Sequence, residues 1–315
     1  MSRRTWLVCA AVAVVAAAIL VGLVLWAYQW DWTGLGASRS PVKNPKAPFD
    51  YYPSKSLWDW MQLLVVPVVL AGAALWFNAT QKRRDEVIAE DRQQATVLDA
   101  YLATMTTLLI DKGLKGSAME SEPRAVARAQ TLTVVERLNG QRKGSIVRFL
   151  YESHLIDKDE PIVALSGADL SGADLRGAIL MGATLRGADL RGAILIGATL
   201  KEAALDGATL PEATLNGAAL DGADLIGVNL YAATLNGAAL DGADLRGADL
   251  RGADLRGATL TGAILTRANL IRTILNGADL ARANLTEARG KTNEELEEQA
   301  ARLTDAIMPD GKTHP

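Results

Sequence analysis

The spacing of apolar positions changes along the chain, and each spacing predicts a different kind of element. Residues 6 to 27 (WLVCAAVAVVAAAILVGLVLWA) are apolar and uncharged. At about 1.5 Å per helical residue they match a hydrocarbon layer of about 30 Å. A second apolar run, Met61 to Phe77, is framed by Trp58, Trp60 and Trp76 and contains Pro67, which kinks a helix rather than forbidding it. The two runs predict a transmembrane helical hairpin over residues 1–80. Between residues 81 and 112 the apolar positions Leu98, Leu102, Met105 and Leu109 draw one stripe down a helix. Ser121 ahead of Glu122 and Pro123 marks a second helix start, with an end expected near Asn139 and Gly140. Ser145 is the expected cap of a third helix that runs to about His154. Residues 81–162 therefore read as a helical stalk that also covers whatever follows.

From Leu165 to Leu285 every fifth residue is Leu, twenty-five in succession, and the residue two before each is nearly always Ala. An α-helix advances about 140° in five residues, so its leucines would wander around the whole circumference. A strand would send them alternately to opposite faces. One Leu register can stay buried only if the chain turns a corner every five residues and closes a four-sided coil every twenty. Gly two after Leu supplies the positive φ of the corner. Coils stacked at the strand spacing of about 4.8 Å make a rod over residues 163–289. The rod needs a cover at each end. At the far end, residues 290–315, Thr292 and Glu295 read as a capping box. Leu296, Ala300 and Leu303 share one helix face, and AIMPDG (306–311) looks like a last imperfect repeat closed by a turn.

Charge and composition narrow the function. The net charge of −3 argues against a strongly charged partner, and residues 163–289 carry fourteen acidic against eleven basic residues, so nucleic acid and its mimicry are both disfavoured. All seven Trp precede residue 77 and Cys9 is the one cysteine, which leaves no intramolecular disulfide. Arg3 and Arg4 before the first apolar run, with Lys82, Arg83 and Arg84 after the second, predict cytoplasmic ends and make the latter three candidate lipid-facing residues. Between residues 122 and 150 six basic side chains face two acidic ones. GQRKGS (140–145) is not a phosphate loop, which needs four residues between its glycines and a Lys after the second. His154 and His314 have no second ligand at metal spacing, and no catalytic, cofactor or metal site is expected. Residues twenty apart share a column on the rod. Those columns put Ile194, Ile196, Tyr231 and Ile271 outside, a candidate surface for a protein partner.

The units ADLRG, ADLSG and ATLRG resemble the A(D/N)Lxx repeat of the pentapeptide-repeat family over residues 163–289. The segment RAQTLTVVERLNGQRKGSIVRFLYESHLI resembles the one between anchor and repeats in bacterial membrane-anchored members. The resemblance implies an all-β right-handed quadrilateral β-helix, preceded here by the two-helix transmembrane hairpin and the short α-helical segment. The resemblance assigns no task; the apolar runs with their flanking charges and the flat faces of the rod, which offer no concave pocket, lead to the expectation of a non-enzymatic, multi-pass inner-membrane scaffold with its repeats in the cytoplasm. Such a scaffold would contact the bilayer and a protein partner, and self-association is compatible with the pattern. The alternative is the DNA-mimic type of pentapeptide protein that binds gyrase.

Overall fold

The computed structural model describes residues 57–157 and 160–315, with side chains from residue 69 onward. Helix α1, Leu57–Ile110, is continuous for 54 residues, and a boundary between two compact units falls within it, after Ala89. In the first unit Val69, Leu70, Leu75, Trp76 and Phe77 are exposed, and the chain turns polar at Asn78 and charged at Lys82.

Among the described residues no helix is long and apolar enough to cross a membrane. This corrects the expected transmembrane hairpin and multi-pass inner-membrane localisation. The apolar run of α1, Met61–Phe77, rises about 25 Å at about 1.5 Å per residue, short of a hydrocarbon layer of about 30 Å, and the charged Lys82, Arg83 and Arg84 follow within about a turn and a half. The first expected span, 6–27, lies outside the described residues.

In the second unit α1 packs with α2 (Glu122–Val135) and α3 (Gly140–Glu152). The buried centre of α1 is Tyr101, Met105 and Leu108, and Leu98, Leu102 and Leu109 are only partly covered. The stripe is thus rotated by about one residue from the expected one, because α1 serves two neighbours rather than one. Tyr101 meets Phe149 of α3 edge-on, with ring centroids 6.4 Å apart, and its hydroxyl bonds Thr131 of α2 at 2.9 Å. Burial pushes the Tyr101 phenol up to about 12. Ser121 precedes α2 in an extended conformation and Pro123 sits in the first turn, where a missing N–H costs nothing. Helix α3 begins earlier than expected, at Gly140, because Asn139 accepts from the Arg142 N–H as its cap.

From residue 165 the chain coils with a period of twenty. Single residues pair in parallel across successive coils, from Asp169 with Asp189 to Asn269 with Arg289, always twenty apart. From Asp189 to Asn284 the residue before each Leu donates upward, and from Leu170 to Leu270 the Leu donates downward: Thr209 N to Ala188 O at 3.0 Å, Leu210 N to Asn229 O at 2.7 Å. Ala213 N then donates back to Leu210 O, which closes the corner. The residue two after Leu has positive φ in every repeat, whether it is Gly or, as at Glu212 and Arg272, not. No strand forms among the described residues, only these isolated bridges. This corrects the all-β expectation: each side of the coil is straight for too few residues before the next corner to extend a strand. The Leu and Ala positions are buried throughout, including Val228 and Thr273, whose hydroxyl donates to Leu250 O at 2.7 Å.

Both ends carry covering segments. Gly140 O of α3 accepts from Asp174 N, and Ile156 O accepts from Thr184 N. Lys143, buried, donates from Nζ to Asp169 Oδ1 at 3.1 Å and to Ser171 O at 3.2 Å. At the other end α4, Asn293–Gln299, carries the capping box, with Thr292 and Glu295 bonded reciprocally. Leu296 is its buried residue, whereas Leu303 lies beyond the helix, in a final coil. There the pairing is twenty-three apart, Asp279 with Arg302 and Asn284 with Ile307, because α4 inserts three residues. Thr313 folds back antiparallel on Ile307.

Candidate interaction surface

The four sides of the coil can be named by their leucines: face one carries Leu170 to Leu270, face two Leu175 to Leu275, face three Leu180 to Leu280 and face four Leu165 to Leu285. On three of them an Asp before Leu is clamped by the Arg two residues on, which is its neighbour across the buried Leu. Arg246 Nε donates to both Asp244 oxygens at 2.8 and 2.9 Å, and Arg251 to Asp249 and Arg256 to Asp254 repeat the geometry. These three pairs lie on successive faces of one coil, and Asp189 with Arg191 forms a fourth. Hydrogen bonds from Arg191, Arg251 and Arg256 hold the Asp189, Asp249 and Asp254 carboxyls below their ordinary range. At Asp244 partial burial pushes the other way, and the bonds from Arg246 outweigh it. Solvent screens each such pair at this exposure, but together they leave these stretches of the surface locally neutral.

The family whose model matches the chain is described as pentapeptide repeats, and it covers residues 163–197, 193–230, 223–262 and 263–289. The chain belongs to the pentapeptide-repeat family. Among solved structures, the pentapeptide-repeat protein HetL of the cyanobacterium Nostoc sp. strain PCC 7120, involved in heterocyst differentiation regulation, is 36% identical over 48% of this chain and 87% of its own, with a TM-score of 0.24. Rfr23 of the cyanobacterium Cyanothece 51142 is 38% identical over 31% of this chain and 60% of its own, with a TM-score of 0.17. QnrB1, a plasmid-mediated fluoroquinolone resistance protein, is 20% identical over 42% of this chain and 67% of its own, with a TM-score of 0.28. None of the curated proteins matches.

The pentapeptide-repeat rod spreads the four expected surface residues rather than gathering them. Ile194 and Ile196 lie on face two, the first half-buried and the second exposed. Tyr231 and Ile271, 47% and 46% exposed, share the column that follows face one, two coils apart. Arg251 sits between them with its guanidinium 5.7 Å from the Tyr231 ring centroid, within cation–π range. Tyr231, Arg251 and Ile271 thus form one continuous ridge. Lys82, Arg83 and Arg84 are exposed on α1 in the first unit. His154 pairs with Asp157 at 3.2 Å. The reading by columns missed Ile179, 62% exposed, and Met181, 53% exposed, both on face three of the first coil. Their signal was present in GAILMG (177–182), where both neighbours of the Leu are large and apolar.

Proposed function

We propose that this pentapeptide-repeat protein is a non-enzymatic scaffold whose rod binds a protein partner along the ridge Tyr231–Arg251–Ile271. The observation that carries this reading is the ridge itself: an aromatic and an aliphatic side chain, about half exposed, with an arginine between them that is already neutralised by Asp249. Such a surface offers apolar area at little desolvation cost, the composition that concentrates binding energy in interfaces. The DNA-mimic alternative needs a dense, unpaired negative charge, which the clamped Asp–Arg pairs work against.

The test is site-specific photo-crosslinking in cells that make the full chain. A crosslinker at 231 or 271 is expected to trap a discrete protein partner, and one at Thr261, on another column, is not. Equal yields at all three positions, or none at 231 and 271, would refute the ridge. Inhibition of gyrase supercoiling by the chain, relieved by Asp249→Asn and Asp254→Asn, would favour the mimic instead.

A further inference from the structure

The first coil of a solenoid exposes a row of backbone groups that every later coil satisfies with its predecessor. Here the preceding helices satisfy that row almost all the way round. On face two, Asp174 N donates to Gly140 O, and on face four Thr184 N donates to Ile156 O. The corner carbonyls of Ser166, Ser171 and Arg176 accept from Arg128, Lys143 and Arg148. On face one the Asp169 N–H meets no backbone acceptor among the described residues, but its side chain is held by Lys143 and Ser171, and a charged, occupied position blunts an edge.

Face three is different. Among the described residues the Ile179 N–H and C=O and the Met181 C=O have no partner. In the coils below, the equivalent groups are paired, as in Thr199 N to Ala178 O and Leu180 N to Thr199 O. The open rung also carries the two large apolar side chains noted above, Ile179 and Met181. Beside it lies a groove of about 230 Å³ lined by Arg148, Tyr151, Glu152, Gly177, Ala178 and Ile179. That volume is below the range of small-molecule sites, about 300–1,000 Å³, and suits a single side chain.

We infer that the open rung of face three at Ile179 is a docking edge for an extended, uncharged peptide segment of a partner protein, which adds to the solenoid as one more rung. The backbone supplies a donor and an acceptor at bridge register, the recognition mode of an added strand. Charge complementarity fixes the chemistry of the segment. Among the described residues Arg148 and Glu152, one turn apart on α3, are the charged residues of the groove and offset each other, and the Arg148 guanidinium is already spent on Asp174 O and Arg176 O. An uncharged strand with an aliphatic or aromatic side chain for the groove fits, and a charged one gains nothing there. This edge is distinct from the ridge at Tyr231, so the two proposals fail separately.

The experiment pans displayed random linear peptides on the full chain and measures the affinity of those selected. The expected peptides are uncharged and alternate apolar with polar residues. Their affinity should fall at least about tenfold for Ile179→Lys, since a charge on an edge blocks strand addition, and be unchanged for Ile271→Lys. Ile179→Thr installs the residue of the next coil, Thr199, and so preserves the fold; it should weaken binding severalfold at an unaltered melting temperature. Bound peptide should slow hydrogen exchange at the Ile179 amide. Peptides that bind Ile179→Lys as well as the original chain, selected peptides that are charged and lose affinity between about 50 and about 500 mM salt, or no enrichment at all would each overturn the inference, and none of these would bear on the crosslinks at Tyr231.

Discussion

Replacing Gly144 with Ala should destabilise the cap of the solenoid, although the same change in an ordinary exposed helix is favourable by about 1 kcal/mol. The reason is the closeness of α3 to the first coil. A Cβ on residue 144 would lie 2.0 Å from Asp174 O and 2.9 Å from Asp174 C, and one on residue 140 would lie 1.9 Å from Gly172 O. The obstructing atoms are backbone, so relief requires the helix to move away by more than an ångström. Overpacking of this kind costs about 1–3 kcal/mol, and the shift would also break the bond from Asp174 N to Gly140 O, about 1 kcal/mol more. Against a propensity gain of about 1 kcal/mol, the net expectation is a loss of about 1–3 kcal/mol. Repeat proteins need not unfold in one step, so the assay is hydrogen exchange resolved to single amides in the full chain. Asp174 N should exchange faster in Gly144→Ala, and amides of middle coils such as Leu230 should be unchanged. Ser145→Ala, at an exposed position on the same helix, is the control and should be neutral. A Gly144→Ala variant with Asp174 as well protected as before would refute the close-packing argument.

Two further outcomes follow from the same geometry. Glu212 holds φ of 58° at a corner where most repeats place Gly; Glu212→Gly should raise stability by about 0.5–1 kcal/mol in chemical denaturation, because relief of the left-handed strain exceeds the entropy lost by Gly. The Asp189, Asp249 and Asp254 carboxyls titrate below their ordinary range when folded. Their contribution is therefore present above the unfolded value of about 4 and is lost as pH falls through the folded value. Melting temperature should drop on acidification below about pH 4, and drop less in a variant with Asp189, Asp249 and Asp254 all changed to Asn.

The interior of the rod was legible because a period of five has one solution: Leu170 to Leu285 can share an axis only in a coil that closes every twenty residues. The capping box at Thr292 and Glu295 was legible for a similar reason, since the motif is local and its partners are three residues apart. The N-terminal cap was not. Gly140 and Gly144 look like helix breakers in the sequence, and only the approach of the Gly172 and Asp174 carbonyls explains why a helix keeps two glycines one turn apart. Period also could not tell a strand from a single bridge, because both bury Leu equally well. The surface was read only in part. Tyr231 and Ile271 share a column that twenty-residue spacing reveals, but the openness of the rung at Ile179 depends on what α3 fails to cover, which no pattern within the repeats encodes.

The pairing interval of twenty, broken only where α4 inserts three residues, gives the molecule two kinds of memory. The interior distinguishes positions only modulo five, so loss of one repeat, residues 236–240 for example, would still leave a Leu under every Leu. The exterior distinguishes them modulo twenty. After that loss every downstream residue would be advanced by a quarter turn: Arg256 would take the place of Arg251 beneath Tyr231, still clamped to its own Asp254, and Asn276 would stand where Ile271 had been. The ion pairs would survive the change because they are local, and the ridge would not. Only loss or gain of four repeats together keeps the outside in phase, changing the rod by a single layer of about 4.8 Å. Length can therefore vary in steps that the core never registers, while whatever reads the surface registers all but one in four.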